Sequence, residues 1–184
     1  MIDLQHPNYK VPLKNLSQPY DLVKNFKILS MKDYCYAFWV KCGDTRILMN
    51  IGMSEGKRTG ERVYRKVGNL PGWGSKTLTG FMGQDMKVVV EAVEQKYENL
   101  GLKIHKDDVT LHIWDTSKLV FDSYNSSTIE AEKKLFRDCK ELFGYIPAGN
   151  WQDPNNRKRS IVSRKMFDTL FNEVDVEEEE TYET

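Results

Sequence analysis

The sequence has no apolar run near the roughly 20 residues that a membrane-spanning helix needs, so nothing in it is expected to cross a bilayer. Its first residues, MIDLQHPNYKVPLK, lack a basic stretch followed by an apolar one, and so do not read as a signal peptide. Cysteine is scarce: Cys35, Cys42 and Cys139 are odd in number and form no Cys-x-x-Cys pair. That excludes a disulfide framework and suits free thiols in a reducing cytoplasm. Net charge is also missing, with 27 Lys and Arg against 27 Asp and Glu. What remains is an ordinary globular composition, 40% apolar and 29% charged, over 184 residues, which suits one domain.

The zero net charge hides an asymmetry. Residues 173–184 (EVDVEEEETYET) carry seven acids and no base, which leaves a formal +7 on residues 1–172. A basic body with an acidic tail is compatible with a polyanionic ligand. The tail has too little apolar surface to fold alone. Two basic clusters stand out, Lys57, Arg58, Arg62, Arg65 and Lys66, and then Arg157, Lys158, Arg159, Arg164 and Lys165. On a helix, Arg58 with Arg62, or Arg62 with Lys66, would share a face at i, i+4. Arginine adds bidentate phosphate geometry, although a solvated charged surface is the usual fate of such runs.

Three prolines in the first 20 residues (Pro7, Pro12 and Pro19) suggest an extended arm, and residues 1–33 are read as an N-terminal arm. Tyr36-Ala37-Phe38-Trp39-Val40 is aromatic and β-branched, as a buried strand is. Cys42-Gly43-Asp44-Thr45 has turn chemistry, and Arg46 to Gly52 reads as the returning strand of a hairpin. Glu61 to Val67 is a short helix candidate. Residues 68–84 hold five glycines and a proline in 17 residues and read as a glycine-rich insertion. On it, Trp73 and Lys76 are either a substrate-reading flap or, for Trp73, packing on the body. A helix is expected from about Gln84 to Leu100 with Gly101 as its stop, and a strand over Val109–Trp114. Thr128 can cap a helix running to Phe143, with an apolar stripe of Ala131, Leu135, Phe136, Cys139, Leu142 and Phe143. A last helix is expected over about Ser160 to Phe171. The order implies a small α+β fold with a central, mainly antiparallel sheet flanked by helices.

Gly74-Ser75-Lys76-Thr77 resembles a phosphate-cradling loop superficially. Ser75 stands where glycine is needed before the lysine, and no strand leads in. A zinc site would need four soft ligands, and Cys35, Cys42, Cys139, His105 and His112 are too scattered, so Cys35 and Cys139 read as core residues. Nothing in the spacing supports a cysteine nucleophile with His112. Glu130 and Glu132 sit where first-turn acids favour the helix dipole. A carboxylate there, facing a basic groove, is also how a phosphodiester nuclease holds a divalent cation.

Taken together, the order of features resembles the GIY-YIG nucleases. That family has a strand carrying Gly-Ile-Tyr, a turn, and a strand carrying Tyr-Ile-Gly. A helix with an arginine follows, then a later helix with a metal-binding glutamate, and finally an asparagine. Tyr36-Ala37-Phe38 resembles the first motif and Asn50-Ile51-Gly52 the second. Gly60-Glu61-Arg62-Val63-Tyr64-Arg65 resembles the arginine helix, Glu132 the metal residue, and Pro147-Ala148-Gly149-Asn150 the closing turn. The likeness covers roughly residues 34–151 of a domain read as 34–172. In this register Phe38 and Asn50 stand at the two family tyrosines, and Phe38 has no hydroxyl. The resemblance implies hydrolysis of DNA, or of RNA, with one Mg²⁺ or Mn²⁺ on Glu132. It implies Arg62 as the stabiliser of transition-state charge, and Tyr36 or Tyr64 as the residue that positions water. Lys57, Arg58, Arg65, Lys66, Asn150, Arg157, Lys158 and Arg159 would contact nucleic acid, with Lys57 or Lys66 assisting deprotonation of the water. The alternative is a module of the same fold that binds nucleic acid without cutting it.

Overall fold

The computed structural model describes residues 2–26, 32–56, 61–73, 86–150 and 153–155. The acidic tail, the expected helix over 160–171 and most of the glycine-rich insertion therefore lie outside the described residues. So do Lys57, Arg58, Lys76, Arg157, Lys158 and Arg159.

Period-two alternation organises the fold. The strand β2 (Tyr34–Cys42) returns through a two-residue turn into β3 (Thr45–Ser54), pairing Cys42 with Thr45. On its other side β2 pairs antiparallel with β4 (Val109–Asp115), and β4 pairs antiparallel with β1 (Tyr9–Pro12). The sheet order is thus β1-β4-β2-β3, with β1 and β3 at the edges. Successive β2 side chains point to opposite faces. Tyr34, Tyr36, Phe38 and Val40 enter one core, while Cys35 and Ala37 enter the other. Helices cover both faces, which is why seven of the nine β2 residues are buried.

The first core receives α2 (Glu61–Gly68) through Val63 and Val67, and α3 (Met86–Lys96) through Met86, Val89, Val90 and Val93. These sit at helical i, i+4 and i, i+3, i+4, i+7 spacing. The second core receives α4 (Ser127–Phe143) through Ala131, Leu135, Phe136 and Cys139. The expected strands Tyr36–Val40, Arg46–Gly52 and Val109–Trp114 all lie within observed strands, and the sheet is antiparallel with helices around it.

Four local expectations are corrected. Residues 9–26 are not an extended arm. They form β1, a 3-10 turn over Leu13–Asn15 and the helix α1 (Tyr20–Phe26), because Val11, Leu13, Leu16 and Leu22 have apolar surface that the first core buries. The helix read over residues 84–100 is α3 followed by a separate 3-10 turn, Glu98–Leu100. Ser126, not Thr128, caps α4, its Oγ accepting from the Ile129 N–H at 3.3 Å. Thr128 is buried instead, its hydroxyl 2.8 Å from that of Thr116. The α4 stripe also stops short: Leu142 and Phe143 are 49% and 38% exposed, since the second core ends at Cys139.

A β-bulge falls between Phe38 and Trp39, where Phe38 pairs with Asn50 but Trp39 pairs with Leu48. The extra residue is Met49, whose side chain joins the first core. The bulge brings Met49 and Asn50, neighbours in sequence, to the same face of the sheet.

Candidate functional site

Four polar side chains from three elements gather at the β3 edge. Tyr36 comes from β2, Arg62 and Lys66 from consecutive turns of α2, and Glu132 from the second turn of α4. Val63 and Val67 fix α2 on the core, and the i, i+4 spacing of Arg62 and Lys66 then turns both cations toward one side.

Glu132 is half-buried. Burial pushes its carboxyl up to about 7, against the opposing pull of the Arg62 and Lys66 cations. Its neighbour Glu130 behaves oppositely. Hydrogen bonds from Asn125 Nδ2, Lys133 Nζ and Ser123 Oγ hold its carboxyl below the usual range. Glu130 is thus an engaged helix-start acid, and Glu132 is the carboxylate directed at the cluster.

Tyr36 is fully buried. Burial raises its phenol, Arg62 lowers it and Glu132 adds to the rise, which ties its hydroxyl to both groups. The hydroxyl lies directly over Gly52, its cross-strand partner, where an added Cβ would come within 2.5 Å of it. Only glycine at 52 leaves room for that ring. Phe38, one pleat further on, packs in the core and pairs with Asn50. It lies outside the charged cluster, so Tyr36 is the β2 hydroxyl that meets Arg62 and Glu132.

The Arg62 Nη1 donates to the Met53 carbonyl at 3.1 Å, while its buried Nε has no partner among the described residues. Lys66 corrects the sequence expectation of a surface phosphate contact. It is buried, donates through Nζ to Asn50 Oδ1 at 3.4 Å, and lies 5.8 Å from the Tyr36 ring centroid. The α2 face that Lys66 occupies is closed by the sheet. Asn50 in turn donates to the Gly149 carbonyl at 3.3 Å. Asn150 is a strand anchor: its Oδ1 accepts from the Ile51 N–H at 2.8 Å and its Nδ2 donates to the Ile51 carbonyl at 2.7 Å. Gly149 N–H donates to the Met49 carbonyl at 2.7 Å, and a side chain at 149 would collide with that carbonyl and with Val89.

No protein-family model matches this sequence, and comparison with curated proteins and with solved structures finds no match.

Other expected site residues sit elsewhere. Tyr64 packs edge-on against Tyr20, with centroids 6.2 Å apart, and is not among the charges acting on Glu132 or Tyr36. Arg65 is half-buried on the same helix. Trp73 packs on the body, donating to the Val67 carbonyl at 2.9 Å beneath Lys106 Nζ, which lies 4.5 Å from its ring. Among the described residues no group of three or more His, Cys, Asp or Glu could hold a metal ion, and no helix is long and apolar enough to cross a membrane. One carboxylate still fits a hard divalent cation, which keeps several waters and is commonly held by one or two carboxylates plus a substrate phosphate. Sequence reasoning missed Asn50 as a hydrogen-bonding partner of Lys66. The pattern that could have found it is Arg62-Val63-x-x-Lys66-Val67, which places each cation beside a core valine.

Proposed function

We propose that this chain hydrolyses phosphodiester bonds of DNA in the manner of the GIY-YIG nucleases, with Arg62, Glu132 and Tyr36 as the working residues. The observation that carries this reading is the convergence of Tyr36, Arg62, Lys66 and Glu132 from β2, α2 and α4 on one side of Gly52. The order of those elements, a hairpin, an arginine helix, a glutamate helix and an asparagine turn, supports the same reading.

Mg²⁺ or Mn²⁺ at Glu132 would supply Lewis-acid stabilisation of the charge that grows on the scissile phosphate. Arg62 binds the same phosphate, its unpartnered Nε being a donor that a phosphate oxygen satisfies. As the transition state gains negative charge, that donation strengthens. The Tyr36 hydroxyl, held between Arg62 and Glu132, orients the attacking water. Lys66 stays with Asn50 and adds positive potential. Asn150 keeps β3 in place behind Gly52. Three free thiols fit a cytoplasmic setting.

A second reading rests on the complete burial of Tyr36. A hydroxyl closed off from water favours a module that binds nucleic acid without cutting it. Plasmid nicking with and without Mg²⁺, in wild type and Glu132→Gln, decides between them. Cleavage that needs both the metal and Glu132 supports the nuclease. Salt-sensitive binding with no cleavage leaves the binding module, and no salt-sensitive binding removes both.

A further inference from the structure

At the far end of α4 lies a second recess, eleven residues and so roughly 16 Å along the helix from Glu132. It is a cavity of about 310 Å³ lined by Leu4, Trp39, Arg46, His112, Leu142 and Phe143, with Gln5 at its rim. His112 is only 6% exposed, yet neither ring nitrogen has a hydrogen-bond partner among the described residues. The indole Nε1 of Trp39 is likewise buried without a partner. Three unfilled polar atoms in one small cavity are unusual, because a buried polar group without a partner is costly. Burial, with Lys10 and Arg46 adding to it, pushes the His112 imidazole down to about 4, so at neutral pH it offers one donor and one acceptor.

The surrounding rings are placed to sandwich something flat. The Trp39 and His112 centroids are 5.7 Å apart and tilted, and Phe143 meets Trp39 edge-on at 6.0 Å. Leu142 and Phe143, which the second core leaves exposed, form the outer wall. At the mouth, Arg46 is exposed and lies directly opposite Lys41 across the hairpin. Two like charges in that register repel, and an anion between them relieves the repulsion.

We infer that this recess binds a single nucleotide unit, its base between Trp39 and Phe143 with its edge hydrogen-bonded to His112 and Trp39 Nε1, and its phosphate on Arg46. Stacking on aromatic faces with hydrogen bonds to a base edge is how unstacked bases are held. The unit is either a free mononucleotide or an unpaired residue of a strand. The inference does not require that Glu132 catalyse anything.

The test is isothermal titration of the full chain, carrying Glu132→Gln so that no substrate is consumed. The titrants are the four nucleoside 5′-monophosphates and, separately, a short single-stranded oligonucleotide. Saturable binding of at least one mononucleotide, weakened tenfold or more by His112→Leu and by Arg46→Ala, is the expected result and identifies a free-nucleotide site. Binding of the oligonucleotide alone, with the same loss in both variants, supports the site as a reader of strand residues. Arg46 is on the surface, so its variant tests the site without disturbing the core. His112→Leu removes unpartnered nitrogens and is expected to melt no lower than the parent, which separates lost binding from lost folding. Binding of neither ligand, or binding that both variants leave unchanged, would overturn the inference.

Discussion

The two ends of α4 treat buried polarity in opposite ways. Near its start, Glu132 faces Arg62 and Lys66, Lys66 bonds Asn50, and Asn50 bonds the Gly149 carbonyl. Nearly every polar group there is engaged with another residue of the chain. Near its end, His112 and Trp39 hold three nitrogens that nothing in the described chain satisfies. A ligand at the first end must exchange partners with an existing network. A ligand at the second fills capacity that stands open. The first arrangement suits charge that develops during a reaction, and the second suits simple occupancy.

The largest effect that sharpens this contrast is on cleavage. Glu132→Gln is expected to lower Mg²⁺-dependent nicking by about 1,000-fold or more while leaving DNA affinity within about threefold, read by gel-based nicking and filter binding. Next, Arg62→Ala should cost about 3 kcal/mol of transition-state stabilisation, seen as a loss in kcat with KM little changed. A loss confined to KM would show that Arg62 only binds, and would erase the distinction between the two ends.

A smaller effect is structural. Asn150→Ala leaves the N–H and the carbonyl of Ile51 without their partners and should lower stability by about 2 kcal/mol, read from the urea midpoint. The smallest effect at neutral pH belongs to His112→Leu, within about 1 kcal/mol of wild type. It should become visible in acid. The folded imidazole sits near 4, below its ordinary 6.5, so between those values the unfolded chain binds the proton and the folded one does not. Wild-type stability therefore falls as pH drops from 6.5 toward 4, by on the order of 1–2 kcal/mol, and the leucine variant lacks that slope. Parallel pH profiles for the two proteins would show that His112 is not buried as described.

The hairpin, the strand Val109–Trp114 and the body of α4 were legible because alternation and helical spacing report directly on which faces are buried. Arg62 and Glu132 were legible as a pair from their order along the chain. The rest depended on long-range packing. Proline content suggested an arm, but Leu13, Leu16 and Leu22 were needed by the core, and tertiary burial overrode the local signal. Lys66 looked like surface charge because its helix reads the same whether or not a sheet covers it. Tyr36, not Phe38, meets the charged cluster, because Gly52 opposite leaves room for its ring. The recess around His112 left no trace in the sequence at all, since Trp39, His112 and Phe143 meet only through strand register and the length of α4.

The Asn150 clasp has a consequence for how this molecule behaves in a crowd. β3 is an edge strand, and an edge strand offers N–H and carbonyl groups that another chain can pair with. Here the carboxamide of Asn150 occupies both groups of Ile51, and the Gly149 N–H occupies the Met49 carbonyl. Residues 149–150 therefore imitate a fifth strand, one too short to be extended by a neighbour. The same contacts that hold the backbone behind Gly52 also deny it to other copies of the protein, so loosening the clasp should turn a folding defect into an aggregation defect.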